Sequence, residues 1–265
     1  MRLDHLLGPL LAGSLLAGCN DDTPAIVVVP PAPDAGCFMD ETARTFEVYF
    51  VIDVSGSMQA FLQDLSEELA SFALTFPERN LNGDRILVSY FVVAFVNDVR
   101  LFPTGAERMT SHIAVSNAIR DAIAVAEGNR NLSSNTPNSD MDENLLDALG
   151  TVIDRAPSPD DLLVLVATDQ SFREAPETLS GGITVTRTYE EVLTGLRDLD
   201  AQVTALVNGP QDGLTRPYLG QDPLTTLGNG QVYDLGDLTG AQEDIRDTLE
   251  GIARDATCDA PPAGS

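Results

Sequence analysis

One stretch constrains this chain more than any other: residues 46–58, F-E-V-Y-F-V-I-D-V-S-G-S-M. Up to Ile52 both alternating sets are apolar, with Val48, Phe50 and Ile52 on one side and Tyr49 and Val51 on the other. A strand that is apolar on both faces belongs inside a parallel sheet covered on both sides. The character then changes within one residue. Asp53, Ser55 and Ser57 alternate with Val54 and Gly56, and a helical run starts at Met58. In an open α/β sheet, ligands bind in the crevice beyond the carboxyl ends of the strands. Three oxygen side chains therefore share one turn at that edge, and Gly56 lets the backbone turn tightly. One carboxylate and two hydroxyls suit a hard cation such as Mg²⁺ (or Mn²⁺). The plainer alternative is an Asx turn followed by a helix N-cap, with no metal.

The rest of the chain alternates helices and strands. Residues 58–76 carry Phe61, Leu62, Leu65, Leu69, Phe72 and Phe76 at helical spacing and stop at Pro77. Residues 85–96 form a second long apolar strand. Asn97-Asp98 turns into a short antiparallel edge strand, 99–102, closed by Pro103. A helix is expected over 110–127, with His112 in its first turn as a surface or capping residue. A polar loop, 129–141, follows. The next helix begins at Glu143 and buries Leu145, Leu146, Leu149 and Ile153. Residues 161–167 are the third long strand, ending in Thr168-Asp169. Residues 172–182 read as irregular, 187–199 as a helix, 202–207 as a strand and 217–227 as a short helix or loop. A last strand over 231–235 and a final helix over 240–256 close the pattern. The expected fold is α/β: a doubly wound, mostly parallel central sheet with helices on both faces and one short antiparallel edge strand.

D-x-S-x-S after a hydrophobic strand resembles the metal-ion-dependent adhesion site of von Willebrand factor A domains, and the resemblance extends over residues 46–254. In many of those domains a Thr that reaches the metal stands five residues before an Ala-Leu pair. Counting back from Ala148 lands instead on Glu143. That departure is similar to the integrin β-subunit version, where a Glu fills the place. Asn138-Ser139-Asp140-Met141-Asp142-Glu143 also resembles the integrin β stretch N-x-D-x-P-E, lacking only the Pro. The resemblance implies that Asp53, Ser55, Ser57, Glu143 and Asp169 hold the main cation, the Asp often through water. It implies a second cation, usually Ca²⁺, at Asn138, Asp140 and Glu143. Without the resemblance, Glu143 is an acid favoured by a helix N-terminus and Asp169 a turn residue. Thr136 is the alternative oxygen if Glu143 is not a ligand.

The ends of the chain read differently. Residues 1–18 fit a processing segment, and Leu16-Ala17-Gly18-Cys19 resembles a bacterial lipobox. Cleavage there leaves Cys19 first, held to a membrane by acyl chains. Asn20 in the next position leans, by analogy with enterobacterial sorting, towards the outer membrane of the cell envelope. Residues 19–41, with four prolines in 20–36, read as a tether in which 25–29 can form a short edge strand. The folded unit is then 42–258, and 259–265 is a disordered tail. Cys37 and Cys258 flank that unit. Some von Willebrand A domains join their chain ends by a disulfide, and an oxidising compartment favours the same pairing here.

The net charge is −26 and all fifteen basic residues are arginine. Nucleic acid and anionic headgroups repel such a chain. The expected function is binding of a protein ligand that offers an acidic residue to the cation. The rivals are a structural module whose metal meets no ligand, and a hydrolase using Asp53 or Ser55 as nucleophile. No G-x-S-x-G elbow is present, and His112 has no visible triad partner, which argues against the enzyme.

Overall fold

A computed structural model describes residues 43–73, 76, 85–103, 108–140, 142–156, 160–236 and 251. In chain order the main elements are β1 (Arg44–Asp53), α1 (Gln59–Phe72), β2 (Ile86–Phe95), β3 (Val99–Phe102), α2 (His112–Val125), α3 (Leu145–Arg155) and β4 (Asp161–Thr168). They continue with β5 (Thr178–Leu179), β6 (Ile183–Thr184), α4 (Tyr189–Asp198), β7 (Gln202–Val207), a 3-10 segment (Leu224–Asn229) and β8 (Val232–Asp234). Six strands form one sheet in the order β3-β2-β1-β4-β7-β8. All its pairings are parallel except that of β3 with β2. The expected fold class holds.

β1 lies at the centre, and its two apolar sets go to two separate cores. Val48, Phe50 and Ile52 pack with α1 and α2, among them Leu62, Leu65, Phe72, Val115 and Ile119. Tyr49 and Val51 pack on the opposite face with α3 and α4, including Leu146, Leu149, Val192 and Leu196. Burying such a side chain contributes roughly 1.5–3 kcal/mol, so β1 is anchored from both sides along its length. Glu47, in the middle of the strand, is buried but accepts hydrogen bonds from Tyr49 Oη at 3.2 Å and Arg108 at 3.3 Å.

Several elements differ from the sequence expectation. α1 runs Gln59–Phe72 rather than to 76; Phe76 still packs on Phe46 and Phe72. Glu143 does not begin α3. Asn144 is its N-cap, accepting from the Asp147 N–H, and the acid in the first turn is Asp147. Asn competes well for that position because its short side chain reaches the free N–H groups. Glu143 instead bridges to Phe172 as extended chain. The stretch read as irregular, 172–182, contains β5, which pairs with β6 just beyond it; strands of two residues are too short to show a period. The processing segment, the tether with its 25–29 strand, Cys19, Cys37, the final helix apart from Gly251, Cys258 and the tail lie outside the described residues.

Candidate metal centre

The register places the carboxyl ends of β1, β4 and β7 side by side. Ile52 is level with Ala167, and Thr168 with Val207. Asp53 ends β1 fully buried. One of its oxygens accepts from the Ser55 N–H at 2.8 Å and the other from Thr168 Oγ1 at 2.8 Å. The Ser55 and Ser57 hydroxyls meet at 3.0 Å, and Ser57 donates to Asp169 at 3.0 Å. Four of the expected residues are thus one connected cluster.

Glu143 lies near enough to this cluster for the charges of Asp53 and Asp169 to act on it. It is only 2% exposed; Oε1 accepts from Asn138 Nδ2 at 2.9 Å, and Oε2 is buried with no hydrogen-bond partner. An unsatisfied buried carboxylate oxygen is costly unless a cation or water meets it. Burial, and then the charges of Asp53, Asp140 and Asp169, push the Glu143 carboxyl up to about 8 against the Asn138 hydrogen bond. Burial pushes Asp53 up to about 6, with Asp169 adding to it, although hydrogen bonds from Ser55 and Thr168 pull it down. Burial also raises Asp169 above the usual carboxylate range, opposed by Ser57. Among the described residues no three acids lie close enough to hold a metal by themselves, but Glu143, with its unpartnered Oε2 under the charges of Asp53 and Asp169, and the two serine hydroxyls are the donor types that a cation with oxygen ligands takes.

The expected second cation site is less open. Asn138 Oδ1 accepts from the Asp140 N–H at 3.1 Å, and Asp140 turns its carboxylate to the Ser180 N–H. These residues are gathered as expected, but Asn138 and Asp140 are engaged with each other and with the 180 turn. Thr136 Oγ1 contacts Asn131 and Ser134, not the main cluster. His112 opens α2, roughly 20 Å along that helix from the end that approaches the site.

Asn129 is the residue that sequence reasoning missed. Its Oδ1 accepts from the Gly56 N–H at 2.8 Å, and its Nδ2 donates to the Asn138 carbonyl at 3.1 Å. One side chain therefore ties the serine-bearing turn to the segment that leads to Glu143. Gly56 is required here for space rather than for an unusual φ: a Cβ would lie 3.0 Å from Asn129 Cβ and Cγ. No spacing signal could have paired them, since 73 residues separate the two.

No family model matches the chain, and no curated protein matches it. Among solved structures, proximal thread matrix protein 1 from the mussel byssus is similar at a TM-score of 0.52 and 15% identity, over 81% of this chain and 47% of that one. The same protein with a zinc-occupied MIDAS motif gives 0.50 and 15%, over 80% and 46%. A von Willebrand factor type A structure from Catenulispora acidiphila gives 0.48 and 15%, over 81% and 43%. The chain thus spans less than half the length of each. The likeness to proximal thread matrix protein 1 shows a shared fold and nothing finer: an α/β sheet of mostly parallel strands with helices on both faces.

Proposed function

We propose that this chain binds a protein partner through a divalent cation held by Asp53, Ser55, Ser57, Glu143 and Asp169. The observation that carries the reading is the orphaned, buried Glu143 Oε2 beside two further carboxylates. Mg²⁺ or Mn²⁺ fits the set, because such ions take oxygen ligands and keep some water. A carboxylate from the partner would replace one of those waters. Serine hydroxyls leave the ion's charge intact, whereas Glu143 holds the ion more firmly and softens its pull on the partner. A second cation, Ca²⁺, at Asn138, Asp140 and Glu143 requires Asn138 to give up its bond to Glu143. The role is binding, not catalysis. His112, at the far end of α2, is out of reach as a base for Ser55, which supports the binding reading.

Titration calorimetry tests the cation. Glu143 and Asp53 must lose their protons to act as ligands, so Mg²⁺ binding releases protons and tightens as pH rises from about 6 to about 8. Heats that vary with the buffer's ionisation enthalpy and vanish in EDTA are expected. A chain silent to both Mg²⁺ and Mn²⁺ near pH 8 would sink the proposal.

The wider setting belongs to the same proposal. The chain is a lipoprotein of a bacterial cell envelope, anchored at Cys19 in the outer membrane, with a Cys37–Cys258 disulfide closing the domain. The lipobox-like Leu16-Ala17-Gly18-Cys19 and the flanking cysteine pair support it. Closing so long a loop stabilises by about 4–5 kcal/mol in the chain-entropy model. Intact mass of envelope-purified protein should show a lipid on Cys19 and no alkylatable thiol before reduction. Two free thiols exclude the bridge, and a bare Cys19 excludes the anchor.

A further inference from the structure

After β7 the chain makes a loop, 208–223, that returns to the 3-10 segment. Its tip is a two-residue hairpin closed by reciprocal backbone hydrogen bonds between Tyr218 and Gln221, at 3.1 and 2.9 Å. The central residues, Leu219 and Gly220, have φ of +49° and +83°. A turn with both central residues at positive φ strongly prefers Asn-Gly or Asp-Gly. A bulky aliphatic residue there is strained, and strain of that kind gathers at binding sites. Leu219 is also 80% exposed, more than any other large hydrophobic residue described. It therefore satisfies neither the local backbone nor the core.

The loop around it is firmly held beside the metal centre. Gln211 Nε2 donates to the Asp169 carbonyl at 3.2 Å. The Tyr218 ring packs on Phe172 and Tyr189, with centroids 5.0 and 5.1 Å apart, and its hydroxyl donates to Glu174 at 3.2 Å. The hairpin tip thus projects from a rigid base built on the segment that follows Asp169. Arg216, on the same loop, is exposed and makes no side-chain hydrogen bond or ion pair among the described residues. On a chain of net charge −26, an arginine on this loop, in a groove shared with Thr215, Tyr233 and Asp234, is a local exception to the acidic surface.

We propose that Leu219 is the apolar grip beside the cation: the partner segment gives its carboxylate to the ion and packs an aliphatic or aromatic side chain on Leu219. This rests on the cation-mediated binding proposed above. The metal supplies attraction for any carboxylate, and Leu219 selects those with an apolar neighbour. A random peptide library displayed on phage is the probe, bound to the protein in saturating Mg²⁺ and eluted with EDTA. Eluted clones should share an Asp or Glu with Leu, Ile, Val or Phe within about three residues, the reach of a short extended segment. Leu219→Asn creates the favoured Asn-Gly turn, so its melting temperature should rise while synthetic versions of those peptides bind about ten-fold more weakly. Changing the peptide's apolar residue to Ser should cost the wild type the same factor and cost Leu219→Asn little, the signature of a direct pair. Clones with an acid but no apolar neighbour, or equal binding to Leu219→Asn, overturn the role of Leu219 and leave the cation reading standing. A library that yields no EDTA-eluted clones overturns both.

Discussion

Asp53→Ala is expected to lower Mg²⁺ affinity by about 100-fold or more, roughly 2.7 kcal/mol, while the domain stays folded. Asp53 is the buried charged member of the serine turn, and its replacement leaves only neutral hydroxyls there. The fold should survive because two effects oppose each other. The Ser55 N–H and Thr168 hydroxyl lose their acceptor, at about 1–3 kcal/mol each if left unsatisfied. Against that, the carboxylate that most strongly disfavours ionised Glu143 is gone. Denaturant unfolding in EDTA should then differ from wild type by no more than about 2 kcal/mol, the usual range for a single change. Asp53→Asn, which keeps the shape of the site, is the companion variant and should lose Mg²⁺ in the same way. Wild-type affinity in either variant removes Asp53 from the metal's ligands.

Gly230→Ala should destabilise the domain by about 3 kcal/mol or more, the upper range for forced overpacking. The glycine closes the 3-10 segment against β7, and a Cβ there would sit 1.7 Å from the Val203 carbonyl oxygen and 2.6 Å from its carbon. Backbone cannot rotate aside as a side chain can, so the segment and β8 must shift together. Gly209→Ala is the contrasting case. Its φ is +76°, but a Cβ would meet no atom within 4 Å, so only the conformational strain of about 1–2 kcal/mol applies. Urea midpoints of the two variants separate these causes. Equal losses would show that the Val203 contact is not tight in solution.

The parts of the fold visible in the sequence are those dictated by burial. Residues 46–52 read as a strand apolar on both faces, and the two faces of β1 do go to two cores. Asp53, Ser55, Ser57 and Asp169 were legible because the change from apolar to polar coincides with the end of a strand, where a sheet opens to ligands. Glu143 was found only by counting from Ala148, and its place before α3 rather than inside it was not visible. Asn144 caps the helix, and an acid at Glu143 suits a helix N-terminus equally well, so the pattern does not separate the two positions. Asn129 lay hidden in a polar loop because its partners, Gly56 and Asn138, come together only through tertiary folding. Leu219 was unremarkable in sequence, since its backbone angle and its exposure belong to the folded chain alone.

The ligand set is graded in depth. Asp53, Ser55 and Glu143 are buried, Asp169 is half-buried and Ser57 is exposed. A cation seated there would shed its water at the back and keep it at the front, on the side of Ser57 and Asp169. Under the proposed function, Ser57 and Asp169 would hold the ion on its open side, where a partner carboxylate could reach it. The tempo of that step is a property of the metal rather than of the protein. Mg²⁺ gives up water reluctantly, whereas Ca²⁺ accepts looser and more numerous ligands. If the proposed cation-mediated binding holds, the same polypeptide would engage a carboxylate at a rate set by whichever ion its surroundings supply.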